Sequence, residues 1–219
     1  MEQLSTKRTD LAVESHEMYR QSLKTEQVPG VTVETQEKYQ TSITRVHINT
    51  DEGEKSIGKP KGSYITLEIP PMVHKEQKTF EEVTLASSDE IKAIIKIGKN
   101  DPVLVAGLGN WQITADSLGP KVASSILVTR HMFELLPEEI EEGVRSVCAL
   151  SPGVLGITGI ETSEIIKGVV QKVNPALVIA IDSLAARRLG RVSTTIQLAD
   201  TGITPGAGVG NMRQGLTAE

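Results

Sequence analysis

The stretch VLVAGLGNWQITADSLGP (residues 103–120) and its later counterpart LVIAID (residues 177–182) decide the reading of this chain. Each is a short apolar run that ends in a polar loop. Val103 to Ala106 and Leu177 to Ile181 are too short for helices and too uniformly apolar for half-exposed strands, so they read as buried strands of a parallel sheet. In such sheets the chemistry lies at the carboxyl ends of the strands. Asp116 follows the first strand, and Asp182 follows the other directly.

Working outward, the spacing predicts a helix over Gly119–Leu136, a strand over Val144–Leu150, a helix over Glu161–Val173, a short helix over Ser183–Leu189 and a fourth strand over Thr194–Leu198. Alternating helices and strands imply an α/β domain from about residue 99 onward, with helices on both faces of the sheet. Upstream, Ile91, Ile94, Ile95 and Ile97 suggest a short amphipathic helix with Ser88 or Asp89 as its cap. Between residues 28 and 83 the runs Val31–Gln36, Ile43–Ile48 and Tyr64–Ile69 are rich in β-branched residues and predict a small antiparallel or edge region, with Pro70 and Pro71 ending the third strand. Leu11, Val13, Met18 and Leu23 give a weak helical pattern near the N-terminus. It suits a surface helix or a flexible arm.

Composition narrows the function classes. With 38% hydrophobic and 23% charged residues the chain is that of an ordinary globular protein, and at 3% aromatic its core must be aliphatic. The net charge of −5 is made of interspersed cations and anions, which argues against direct nucleic-acid binding. No apolar run is long enough to span a membrane, and no secretory leader is evident, so a cytoplasmic location is expected. The lone Cys148 lies in an apolar run and reads as a buried structural residue of a reducing compartment, the alternative being a catalytic thiol.

The loops carry the chemistry. A dinucleotide fingerprint would need a third glycine where Gln112 stands. No Gly-x-Ser-x-Gly elbow is present, and His16, His47, His74 and His131 are dispersed without zinc-ligand spacing. The segment Asp200–Asn211 is glycine-rich but lacks the Lys-Ser or Lys-Thr of a phosphate loop. Asp116 could be a plain helix-terminal acid. Asp182, ending an apolar strand, needs partners or a raised pKa. Two such aspartates can divide the work, one activating water while the other donates a proton.

Taken together, Arg8–Glu14, Gly107–Trp111 with Thr114–Pro120, Val128–His131, Ala149–Val154, Thr158–Thr162, Ala180–Arg187, and Asp200–Ile203 with Gly208–Asn211 resemble the germination protease family of spore-forming Gram-positive bacteria. The resemblance implies an aspartic-type endopeptidase that starts the degradation of small acid-soluble spore proteins. It places catalysis on Asp116 and Asp182, and substrate-binding or loop-shaping roles on Gly107, Gly109, Asn110, Ser151, Gly153, Gly159, Glu161 and Arg187. It further implies a three-layer α/β/α fold similar to hydrogenase-maturation peptidases, a homotetramer in the forespore or spore core, and no metal or other cofactor. Members are made as zymogens, and Thr9-Asp-Leu-Ala-Val-Glu14 is similar to the sites they cut. Residues 1–10 are therefore expected to be a propeptide, released between Asp10 and Leu11, followed by an arm and β-rich region over 11–98 and a catalytic region over 99–219. The alternative for Asp10 is a helix cap. Because family chains continue well past Gly208–Asn211, the sequence ending at Glu219 is expected to leave the catalytic region incomplete, with a strand edge exposed. The competing readings are a truncated, non-catalytic remnant that binds peptides or subunits, and a metal-using maturation peptidase.

Overall fold

The computed structural model describes residues 9–69, 77–205 and 214–217. Most of the expected propeptide, the Pro70-Pro71 stop and the Gly208–Asn211 segment lie outside the described residues.

Two sheets organise the chain. The first is antiparallel in the order β1-β2-β3-β7, from β1 (Val31–Lys38), β2 (Thr41–Ile48), β3 (Gly62–Glu68) and β7 (Thr195–Ala199). The β1–β2 hairpin turns through Tyr39 and Gln40, both at positive φ, which matches the twist of the strands it joins. Between β2 and β3 lies α2 (Asp51–Ile57), which the apolar pattern did not predict. Its start is signalled by Thr50, whose hydroxyl accepts the Gly53 N–H, and its end by Gly58 in the left-handed region.

The second sheet is parallel, β5-β4-β6, from β4 (Val103–Gly107), β5 (Val147–Leu150) and β6 (Leu177–Ile181). The α/β class and the parallel strands agree with the sequence reading. The expected cover on both faces holds only for β4, which is buried along its whole length; β5 and β6 are half-buried, and Val178 is 36% exposed.

Three further expectations are corrected. The strand near Thr194 is β7, but it pairs antiparallel with β3, Ile65 opposite Leu198. Its alternation of Ile196 and Leu198 with Gln197 suits a sheet with one apolar face, and Leu198 completes the cluster of Ile43, Ile65, Leu67 and Ala86. The long helix over Gly119–Leu136 is two, α4 (Leu118–Ser125) and α5 (Arg130–Leu135). Thr129 breaks it: its N–H donates to the Val147 carbonyl, and its hydroxyl accepts the Val147 N–H and donates to the Arg145 carbonyl. The helix near Ile91 is the end of α3 (Gln77–Ile94), so Ser88 and Asp89 are interior residues and not caps. Asp89 pairs with Lys38, and the neighbouring Glu90 with Arg45, which docks α3 on β1 and β2.

The N-terminal pattern forms α1 (Ala12–Leu23), with Leu11 at its cap position. Leu11, Ala12 and Val13 are buried in a cluster with Val46, Ile48, Ile57 and Tyr64. The first turn of α1 belongs to the core while its last turn is exposed, which is the surface helix of the two forms expected for this segment. Beyond β5, α6 (Leu155–Thr158) and α7 (Thr162–Val173) lead to β6, and Ile166 of α7 packs on Ala106 and Leu108.

Candidate active site

Asp116 sits in a short 3₁₀ turn, Thr114–Asp116, within a loop closed upon itself. The Asn110 N–H reaches both the Asp116 carbonyl, at 2.9 Å, and its carboxylate Oδ2, at 2.8 Å. Asn110 Oδ1 accepts the Gln112 N–H, and the Asp116 N–H donates to the Ile113 carbonyl. Such closure needs a residue without a Cβ at Gly109, where φ is +111° and an added carbon would lie 2.1 Å from the Asp116 carbonyl oxygen. Gly119 plays the matching part at the start of α4, since a carbon there would meet the carbonyls of Leu108 and Ile181 at 2.2 and 2.4 Å. The ends of β4 and β6 are thereby brought against one helix start. The Leu108 N–H donates to the Ile181 carbonyl at 2.7 Å, tying the two aspartate-bearing loops together at their roots.

Asp182 follows β6 at once. Its carboxylate accepts the Ser183 N–H at 2.8 Å. Burial pushes its pKa up to about 6; the Ser183 N–H pulls the other way, and the charges of Asp116 and Asp10 add to the rise. The charges of Asp116 and Asp10 thus both bear on Asp182.

The predicted helix over Ser183–Leu189 is absent. Residues 183–186 are irregular, and a 3₁₀ turn follows only at Leu189–Arg191. The N-terminal segment holds them in that form. Asp10 N–H donates to the Ala185 carbonyl at 2.9 Å, and the Ala185 N–H donates to the Asp10 carboxylate at 2.7 Å. Glu14, 1% exposed, accepts the N–H groups of Arg187 and Arg188 at 2.7 and 2.9 Å. Gln197 of β7 completes the seat, taking the Ala12 N–H and donating to the Asp10 carbonyl. Asp10 is therefore no simple helix cap: it is half-buried and bonded to Ala185, and Leu11 after it is fully buried.

The other candidates divide by location. Gly107, Gly109 and Asn110 belong to the Asp116 loop. Arg187 is exposed and enters through its backbone N–H. Ser151, Gly153, Gly159 and Glu161 lie on the loop after β5: the Gly153 carbonyl accepts the Thr162 hydroxyl, Gly159 ends α6 in the left-handed region, and the Glu161 carbonyl opens α7. Cys148 is half-buried, and burial raises its thiol pKa, which disfavours the thiolate. Among the described residues no group of three or more His, Cys, Asp or Glu side chains could hold a metal ion, and no helix is long and apolar enough to cross a membrane.

Sequence reasoning missed Glu14, Gln197 and Arg191. Arg191 is buried between Glu14, Glu17 and Glu68, lying 3.6 Å from Glu14 and 3.0 Å from Glu17. Burial works against its charge, yet Glu17 and Glu68 hold its pKa above the ordinary arginine value. The only local trace of this network is the Glu14/Glu17 spacing on one face of α1.

A profile of germination proteases matches residues 10–219. The chain belongs to that family. It is 51% identical over 218 residues to a germination protease of Clostridium acetobutylicum, covering 98% of this chain and 66% of that relative. A germination protease of Caldanaerobacter subterraneus is 50% identical over 97% of this chain and 64% of its own length. One from Bacillus cereus is 46% identical over 97% and 59%. The chain thus spans between 59% and 66% of the length of these curated germination proteases.

Proposed function

We propose that this chain carries the site of an endopeptidase that cuts small acid-soluble spore proteins at germination, with Asp116 and Asp182 activating water. The observation that carries the reading is the Leu108 N–H to Ile181 carbonyl bond at 2.7 Å, which sets the loops bearing Asp116 and Asp182 at the neighbouring ends of β4 and β6, where burial raises the Asp182 carboxyl to about 6. At neutral pH such a group exchanges its proton readily. Asp116, oriented by the Asn110 N–H, takes a proton from water as its oxygen attacks the scissile carbonyl carbon. Asp182 gives its proton to the departing amide nitrogen, the C–N bond breaks, and proton transfer between the two aspartates resets the pair. Trp111 and Ile113 on the Asp116 loop and Leu118 at the start of α4, all more than half exposed, offer apolar surface for a peptide alongside.

The finer parts of the reading go with the family. They are synthesis as a zymogen processed between Asp10 and Leu11, assembly as a homotetramer, residence in the forespore or spore core, a fold like that of hydrogenase-maturation peptidases, and catalysis without a metal. The test is incubation of the chain with a purified small acid-soluble spore protein, beside Asp116→Asn and Asp182→Asn. Cleavage by the unaltered chain and loss in both variants is the expected result. Full activity in either variant removes that residue from the mechanism.

A further inference from the structure

Asp182-Ser-Leu-Ala-Ala-Arg-Arg-Leu189 has the composition of a helix, with strong formers behind an N-cap aspartate. Were it helical, the Arg187 and Arg188 N–H groups would bond the carbonyls of Ser183 and Leu184, four residues back. The Asp182 carboxylate would then turn onto the first amides of that helix. Both arginine N–H groups instead donate to the Glu14 carboxylate, at 2.7 and 2.9 Å, from a residue more than 170 positions away in sequence.

We propose that Glu14 is the positioning residue of the Asp182 loop: its carboxylate takes up the Arg187 and Arg188 amides, prevents the helix, and keeps the segment after Asp182 in its irregular form. The assignment of a catalytic consequence rests on the reading of Asp182 given above. Glu14 is equipped for the part. It stands on α1, which Gln197 straps to β7 through the Ala12 N–H. The Thr9 hydroxyl donates to it at 2.5 Å, and Arg191, itself held by Glu17 and Glu68, flanks it. Charge-assisted bonds to a carboxylate so fixed are stronger than the neutral amide–carbonyl bonds they replace. Release of residues up to Asp10 would remove Thr9 and the Asp10–Ala185 pair but leave the two Glu14 bonds in place.

A purely structural Glu14, acting only as a partner for Arg191, makes different predictions. The test compares the unaltered chain with Glu14→Gln and Glu68→Gln, the latter sharing Arg191 but touching neither amide; Glu17 is unsuited as the control because it also pairs with the Arg188 side chain at 3.0 Å. In Glu14→Gln, hydrogen exchange at the Arg187 and Arg188 amides rises about tenfold or more while Val105 in β4 is unchanged. Its kcat on a small acid-soluble spore protein falls about a hundredfold with KM nearly constant, as for a displaced catalytic group. Glu68→Gln changes neither. Unchanged exchange at Arg187 and Arg188 in Glu14→Gln, or an equal loss of kcat in Glu68→Gln, would overturn the proposal. Should Glu14→Gln not fold, scalar couplings across the hydrogen bonds from the Arg187 and Arg188 nitrogens to the Glu14 carboxyl carbon decide the matter in the unaltered protein, and their absence overturns it. Full activity of Asp182→Asn sinks the catalytic reading instead, and the exchange data still judge the clamp.

Discussion

Asp10 and Ala185 are hydrogen-bonded in both directions, N–H to carbonyl one way and N–H to carboxylate the other, across 175 residues of sequence. The pairing places a negative charge beside Asp182. Asp10→Asn keeps an acceptor for the Ala185 N–H and removes that charge, so the Asp182 midpoint falls below about 6. Carboxyl carbon NMR titration reads it directly. A midpoint that stays in place would show that the Asp10 charge does not bear on Asp182.

Asp182 also makes stability depend on pH. Its folded pKa of about 6 lies above the ordinary 3.8, so its contribution is fully present below the lower value and is lost as pH rises through the upper one. Above pH 7 the ionised carboxylate weighs against the fold. Asp182→Asn therefore raises unfolding stability at pH 7.5 by about 1–2 kcal/mol after solvent screening, while cleavage drops about 10²- to 10⁴-fold. Near pH 4 the gain largely disappears. Urea titrations at the two pH values check this, and a variant less stable than its parent at pH 7.5 would contradict it. Glu14 behaves oppositely: burial raises its pKa, but Thr9, the two arginine amides and Arg191 together hold it below 4.5, so its contribution is present above that value and is lost at lower pH.

Gly109→Ala tests the closure of the Asp116 loop. The new carbon would fall 2.1 Å from the Asp116 carbonyl oxygen at a φ of +111°. A loss of about 2–4 kcal/mol is expected from strain and overpacking together, with Asp116 displaced and cleavage lost. Gly168→Ala is the contrasting substitution: nothing lies within 4 Å of the added carbon in the middle of α7, and a gain of about 0.5–1 kcal/mol follows from helix propensity. Thermal melts of both variants give the comparison. Equal effects would remove any special role for Gly109.

Arg191→Met leaves the buried Glu14 without its cation and removes the partner shared by Glu17 and Glu68. The expected loss is about 3–5 kcal/mol. Combined with Glu17→Gln, the loss is less than the sum of the two single changes, because part of the same interaction is removed twice. Strict additivity in chemical unfolding would show that the arginine does not couple the three acids.

Where apolar content alone governs an element, the sequence reading and the structure agree. Val103–Gly107 and Leu177–Ile181 are strands of a parallel sheet, and Asp116 and Asp182 lie on the loops that leave their carboxyl ends. The loop glycines were legible too, because a residue without a Cβ has few other reasons to stand at Gly109.

Long-range partners settled the rest. Ser183–Leu189 has helical propensity, but Glu14 and Asp10 compete for its amides. Thr195–Ala199 has a strand pattern that does not name its neighbour, and the open edge of β3 claimed it. The Thr129 bonds to Arg145 and Val147 cut a continuous helical pattern in two. Local sequence determines propensity and the chemistry carried by each side chain; which backbone donor meets which acceptor depends on groups far apart in the chain, and only tertiary structure decides that. The strand-end positions of Asp116 and Asp182 could be read from their neighbours in sequence, whereas the seat that holds Ala185, Arg187 and Arg188 comes from Asp10, α1 and β7 and became visible only in the fold.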